Sequence, residues 1–191
     1  MKNFKLLVLA ALLLPLVSVA KNKITESVDF LGVDFSAVTV LAADETKLDF
    51  ISTFGEINQL FLTEAEKYDV GHYLSFNINT IDIEPAINGL SELKELDFVH
   101  MHKNSSESDI DIENILSKYE PSEGMKLLII AIELNKSKGY GTYVAVVFNG
   151  STKEIIKTQA LAGDAGGFGL RNFWAKTVYN SMKSAKYSKW K

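Results

Sequence analysis

Apolar residues recur at helical spacing from Leu48 through Phe50, Ile51, Phe54, Ile57, Phe61, Ala65 and Tyr68, forming one broad stripe along a helix surface. Asp44 and Thr46 offer N-caps for this helix. Thr46 has Asp49 three residues later, a capping-box arrangement in which each side chain can meet the other's backbone N–H. Upstream, Phe35–Leu41 alternates as a short strand, with Val38 and Val40 on one face and Ala37 and Thr39 on the other. Gly71 predicts a break near the helix end and leaves 72–76 as irregular chain or a last turn. Ile78, Ile81 and Ile83 predict an extended segment that stops at Pro85, while Leu93, Leu96 and Phe98 fit a helix or a strand equally. After a polar loop at 104–109, Asp109 or Asp111 caps a short helix carrying Ile112, Ile115, Leu116 and Tyr119, which Pro121 terminates.

The C-terminal third is more regular. Lys126–Leu134 is an apolar run of strand length, the pattern of a strand covered on both faces. A turn at 135–139 leads to a strand over Thr142–Phe148. Asn149-Gly150 then predicts a two-residue type I′ hairpin, and Glu154–Leu161 returns. Leu170, Phe173, Trp174, Val178 and Met182 share one face of a last helix, with Lys176, Lys183 and Lys186 mostly on the other. Two apolar helix faces need one sheet to bury them. The expected fold is therefore α+β: a single mixed sheet with a C-terminal three-stranded antiparallel meander, packed against two longer amphipathic helices and one short helix. The expected organisation has residues 21–34 as an N-terminal extension, 35–185 as a single domain and 186–191 as a basic aromatic tail.

Residues 1–20 follow a different logic. Lys2 and Lys5 precede the apolar stretch Leu6–Val17, interrupted only by Pro15, and Ser18-Val19-Ala20 places small residues where a signal peptidase reads. That stretch is shorter than the roughly 20 residues a spanning helix needs. A cleaved secretory signal, and hence a periplasmic or extracellular address, is the expectation; no transmembrane segment is expected in the mature chain. The chain contains no cysteine, which excludes disulfides, a thiol nucleophile and a lipid-bearing cysteine. Loss of Lys2 and Lys5 would take the net charge from −4 to −6, a balance that argues against general nucleic-acid binding.

The element order resembles that of exported bacterial domains of the curli-secretion lipoprotein and TolB amino-terminal type, in which a short helix precedes a hydrophobic strand, a hairpin and a closing helix. The matching stretches here are Ile112–Tyr119, Lys126–Leu134, Tyr143–Ile156 and Leu170–Met182. The hairpin lies where those domains often carry Asp-x-x-Thr-Gly-x-hydrophobic; this chain has Asn149 for the Asp and Lys153 for the Gly. The resemblance implies an envelope-associated or assembly role and brings no catalytic motif.

Candidate chemistry is sparse. Between the last strand and the last helix, Gly163-Asp164-Ala165-Gly166-Gly167-Phe168-Gly169 is a loop whose backbone N–H groups can hold an anion, with Arg171 as a bidentate donor. Its candidate ligand-binding residues are Asp164, Gly166, Gly167, Gly169 and Arg171, although the spacing fits neither a dinucleotide fingerprint nor a P-loop. His100 and His102, with Asp97 or His72, make too small a donor set to predict a metal site. The acidic pairs Asp82/Glu84 and Asp109/Asp111 read as strand alternation and helix N-terminal charge, so neither a catalytic residue nor a cofactor is expected. Lys183, Lys186, Tyr187, Lys189 and Trp190 combine cations with interfacial aromatics and are the candidate interface, for anionic lipid headgroups or an acidic partner. The expected function is a non-enzymatic envelope domain that binds a protein partner or self-associates. The alternative is a small-ligand-binding or hydrolytic domain using the Gly163–Arg171 loop.

Overall fold

The computed structural model describes residues 27–102, 110–185 and 190. The expected leader at 1–20 lies outside the described residues. The chain forms β1 (Ser27–Asp34), β2 (Thr39–Leu41), α1 (Lys47–Thr63), α2 (Val70–Leu74), β3 (Asn77–Ile81), α3 (Glu84–Gly89), a 3-10 turn (Leu90–Lys94), β4 (Val99–His100), α4 (Ile112–Ser117), β5 (Met125–Asn135), β6 (Tyr140–Asn149), β7 (Ile155–Asp164) and α5 (Leu170–Ala185). All seven strands belong to one sheet.

The strand directions overturn the expected α+β class. Along the path β3-β1-β5-β2-β4 every pairing is parallel, and the described residues hold five α-helices, so the fold is α/β. The last three strands do not stand as a meander of their own. β5 is the central strand, with parallel partners β1 and β2 on one edge, and antiparallel β6 on the other carries β7. Residues 27–34, expected as an extension, form β1 between β3 and β5. Parallel neighbours need crossovers, and two crossovers of one hand that move in opposite directions across a sheet must use opposite faces. Accordingly α1, between β1 and β3, packs on one face, and α4, before β5, packs on the other.

The capping box at the start of α1 forms as its sequence predicts: Asp49 N–H donates to Thr46 Oγ1 at 3.2 Å and Thr46 N–H to Asp49 Oδ2 at 2.9 Å. Phe50, Phe54, Ile57 and Phe61 of that helix enter the main core with Trp174, Val178 and Met182 of α5. The Phe35 and Phe54 rings stack at 4.0 Å between centroids, and Phe30 meets Phe61 edge-on at 4.8 Å. Gly163 lets α5 lie close on β7, because a Cβ there would overlap the Thr177 backbone and come within 2.5 Å of Ser181 N. The opposite face is covered more thinly, by Ile115 and Leu116 of α4 over Leu31, Leu128, Ile130 and Val146.

Two local expectations also change. Pro85 sits in the first turn of α3, where its fixed φ and missing N–H are tolerated, and does not simply end the chain's regular structure. The β6–β7 connection is not a two-residue type I′ turn with Gly150 in a left-handed conformation. It runs through Thr152, with Lys153 at φ 63°, closed by Lys153 N–H to Asn149 O (2.8 Å) and Asn149 N–H to Glu154 O (2.9 Å).

β1 contains a bulge that decides which side chains face which core. Three steps along β1, from Phe30 to Val33, match two along β5, from Leu127 to Ile129. Gly32 absorbs the extra residue at φ 89°. Just past the bulge, the buried Asn58 side chain of α1 bonds the Val33 backbone, accepting from Val33 N–H at 2.8 Å and donating to Val33 O at 2.9 Å. Asn58→Ala removes both of these bonds from a buried stretch of backbone and should lower stability by roughly 2–4 kcal/mol in urea titration. Gly32→Ala should destabilise as well, since its Cβ would come within 2.5 Å of Asn58 Oδ1 in a backbone conformation that L-residues disfavour.

Candidate functional site

Past the bulge, alternation along β1 resumes in a new phase. Val33 faces the main core, while Asp34 joins Asp29 and Leu31 on the thinly covered face. There residues of α3, the 3-10 turn and the end of α4 border a cavity of about 520 Å³. Leu31, Pro85 and Phe148 give it apolar surface; most of its remaining lining is polar.

At one side Lys126, the first polar residue of the apolar β5 run, reaches Asp29 at 2.7 Å, and Thr80 donates to the other Asp29 oxygen at 2.8 Å. Burial pushes the Asp29 carboxyl up, but the hydrogen bonds from Lys126 and Thr80 and the ammonium charge outweigh it and hold the group below its usual 3.8. Opposite, Asp34 is 5% exposed and accepts from Tyr119 O–H at 2.7 Å and Ser36 N–H at 2.7 Å. Burial first, and then the Asp34 charge, push the Tyr119 phenol well above its usual range, so it remains a donor. Lys118, at the end of α4, meets Glu92 of the 3-10 turn at 2.6 Å, spanning the two walls.

Lys153 completes the cavity edge. Its ammonium donates to Glu120 O at 3.0 Å and Gly150 O at 2.9 Å. Burial lowers its pKa; the Glu120 charge works against that lowering and the Lys126 charge adds to it. A left-handed backbone suits Gly at this position, so a Lys there holds a charged group at the cavity at a conformational cost of about 1 kcal/mol.

The sequence-based candidates lie elsewhere. Asp164 ends β7, and its carbonyl accepts from Asn180 Nδ2 at 2.8 Å. Gly166 N–H donates to Phe173 O at 3.2 Å, so that amide is engaged within the fold, and Gly167 and Gly169 take positive φ. Arg171 directs its guanidinium to Asn172 Oδ1, at 3.0 Å from Nη2. Gly169 and Arg171 border a shallow hollow whose opposite wall carries Glu45, Asp49 and Glu56, carboxylates that oppose an anion. Of the tail, Lys183 is exposed on α5, whereas the Trp190 ring is half-buried and meets Phe76 edge-on at 5.2 Å. Lys186, Tyr187 and Lys189 lie outside the described residues, as does Asp109. Among the described residues no group of three or more His, Asp or Glu is placed to hold a metal ion, and no helix is long and apolar enough to cross a membrane.

Asp29, Asp34, Tyr119, Lys126 and Lys153 come from four separate parts of the chain and were not singled out by motif. One signal was present for three of them: Asp29, Asp34 and Lys126 are charged residues set within largely apolar strand segments. Compared with protein-family models, curated proteins and solved structures, the chain matches none.

Because the Asp29 carboxyl is held below its unfolded value, its pairing stabilises the fold above about pH 4, and this contribution fades as pH falls below 3.8 through the folded value. Asp29→Asn should therefore be less stable than the parent at pH 6. The gap should narrow progressively below pH 3.8 in urea titrations across that range.

Proposed function

We propose that this chain is an exported, non-enzymatic binding domain of the cell envelope, and that its ligand is a small molecule seated in the cavity between β1, α3 and α4. The cavity carries this reading: about 520 Å³ lies beside polar groups whose own hydrogen bonds fix their positions. Such a volume suits a metabolite-sized ligand. Preorganised polar walls limit the ordering cost of binding. The export address rests on the leader pattern at residues 1–20 and on the resemblance in element order.

Gly89 provides the test. It lines the cavity in an unstrained helical conformation (φ −59°), with nothing within 4 Å of an added Cβ. In ligand-observed NMR with a library of charged and neutral fragments, Gly89→Trp should abolish the specific signals of the parent without lowering its melting temperature. Gly166→Ala, in the glycine loop, should preserve them. Retention of every signal in Gly89→Trp would place binding elsewhere.

A second reading, self-association, is favoured by Phe168, which stands 96% exposed on the glycine loop, and by Leu48, 68% exposed on α1. If that surface mediates assembly, Phe168→Ser should shift the sedimentation coefficient towards that of the monomer. Unchanged monomeric sedimentation in both proteins would dismiss it.

A further inference from the structure

We infer that the ligand of this cavity carries a protonated amine, received by Asp34 and Asp82, on a short apolar body lying along Leu31 and Pro85. This rests on the cavity being a ligand site and goes on to name what it selects. Each lysine on the wall already has a carboxylate partner or neighbour. Lys126 is bonded to Asp29 at 2.7 Å, Lys118 is bonded to Glu92 at 2.6 Å, and Lys153 lies in the field of Glu120. The carboxylates left over are Asp34 and Asp82.

Asp34 is nearly removed from water, yet both of its donors, Tyr119 O–H and Ser36 N–H, are neutral. Among the described residues, Asp82 accepts from Glu84 N–H alone, at 3.2 Å. Neutral donors orient a carboxylate without cancelling its charge, and burying an uncompensated charge is costly. A ligand ammonium supplies the missing charge and three donors. An anionic ligand would instead enter a wall holding five carboxylates against three ammoniums, Asp29, Asp34, Asp82, Glu92 and Glu120 against Lys118, Lys126 and Lys153. The bulge at Gly32 is what turns Asp34 into this cavity, so the same backbone feature that orders β1 also sets its charge preference.

Three probes of equal length separate the possibilities: n-pentylammonium, n-pentanol and pentanoate, titrated into the purified protein and followed by chemical-shift changes of Leu31, Tyr119 and Asn88. Pentylammonium should bind at least tenfold tighter than pentanol, with pentanoate the weakest. Asp34→Asn should remove that advantage and leave pentanol unchanged. Asp82→Asn, on an exposed residue, should reduce it several-fold with no risk to the fold. Equal affinities for amine and alcohol, tighter binding of pentanoate, or an amine advantage that survives both substitutions would overturn the charge assignment and leave the cavity as a ligand site. If none of the probes perturbs these residues up to its solubility, the cavity reading fails and this inference fails with it.

Discussion

The buried amide of Asn58 ties β1 to α1 at the point where the strand bulges. At Gly32 the strand carries one residue more than its β5 neighbour, and just past that point the Asn58 side chain supplies Val33 with both an acceptor and a donor from α1. An unsatisfied buried backbone pair would be expensive, so the bulge and the asparagine require each other. The pairing ties helix to strand by direction as well as by apolar contact. It also sets the phase of everything that follows in β1: Val33 inward to the aromatic core, Asp34 outward to the cavity.

The rest of the architecture distributes weight unevenly around that strand. β5 is apolar on both faces, with Leu127, Ile129, Ala131 and Leu134 in the larger core and Leu128 and Ile130 in the smaller. The larger core takes two long helices and most of the aromatic rings. The smaller depends on α4, a helix of six residues, together with Tyr119 and Phe148. The helix on this side is short, and the cavity lies beside it.

Much of this was legible from local pattern. The capping box of α1, the apolar run of β5 and the buried stripe of α5 depend on near neighbours in sequence, and they appear where periodicity puts them. β1 was hidden by its own bulge: Val28-Asp29-Phe30-Leu31-Gly32-Val33-Asp34 alternates correctly only if Gly32 is skipped, and the asparagine that bonds the chain just past it lies 25 residues beyond Val33. Without β1 the strands cannot be read as a parallel set, so the α/β class was lost with it. The cavity was harder still, since Asp29, Tyr119, Lys126 and Lys153 meet only through the tertiary fold. The glycine loop stands out in sequence for another reason: it lets the chain turn from β7 into α5.

The uneven covering of the sheet has a dynamic consequence. A six-residue helix lies well below the length at which helical hydrogen bonds sustain themselves in water, so α4 is held by Ile115, Leu116 and the Tyr119–Asp34 bond. These contacts are few compared with those of the opposite face, and the free energy of undocking α4 is correspondingly a small part of global stability. The cavity's wall is thus a separable cooperative unit, and its amides should exchange with solvent far sooner than those of β5 behind it. Any molecule that fills the gap would slow that exchange first, coupling occupancy to the order of one face while the aromatic core stays as it was.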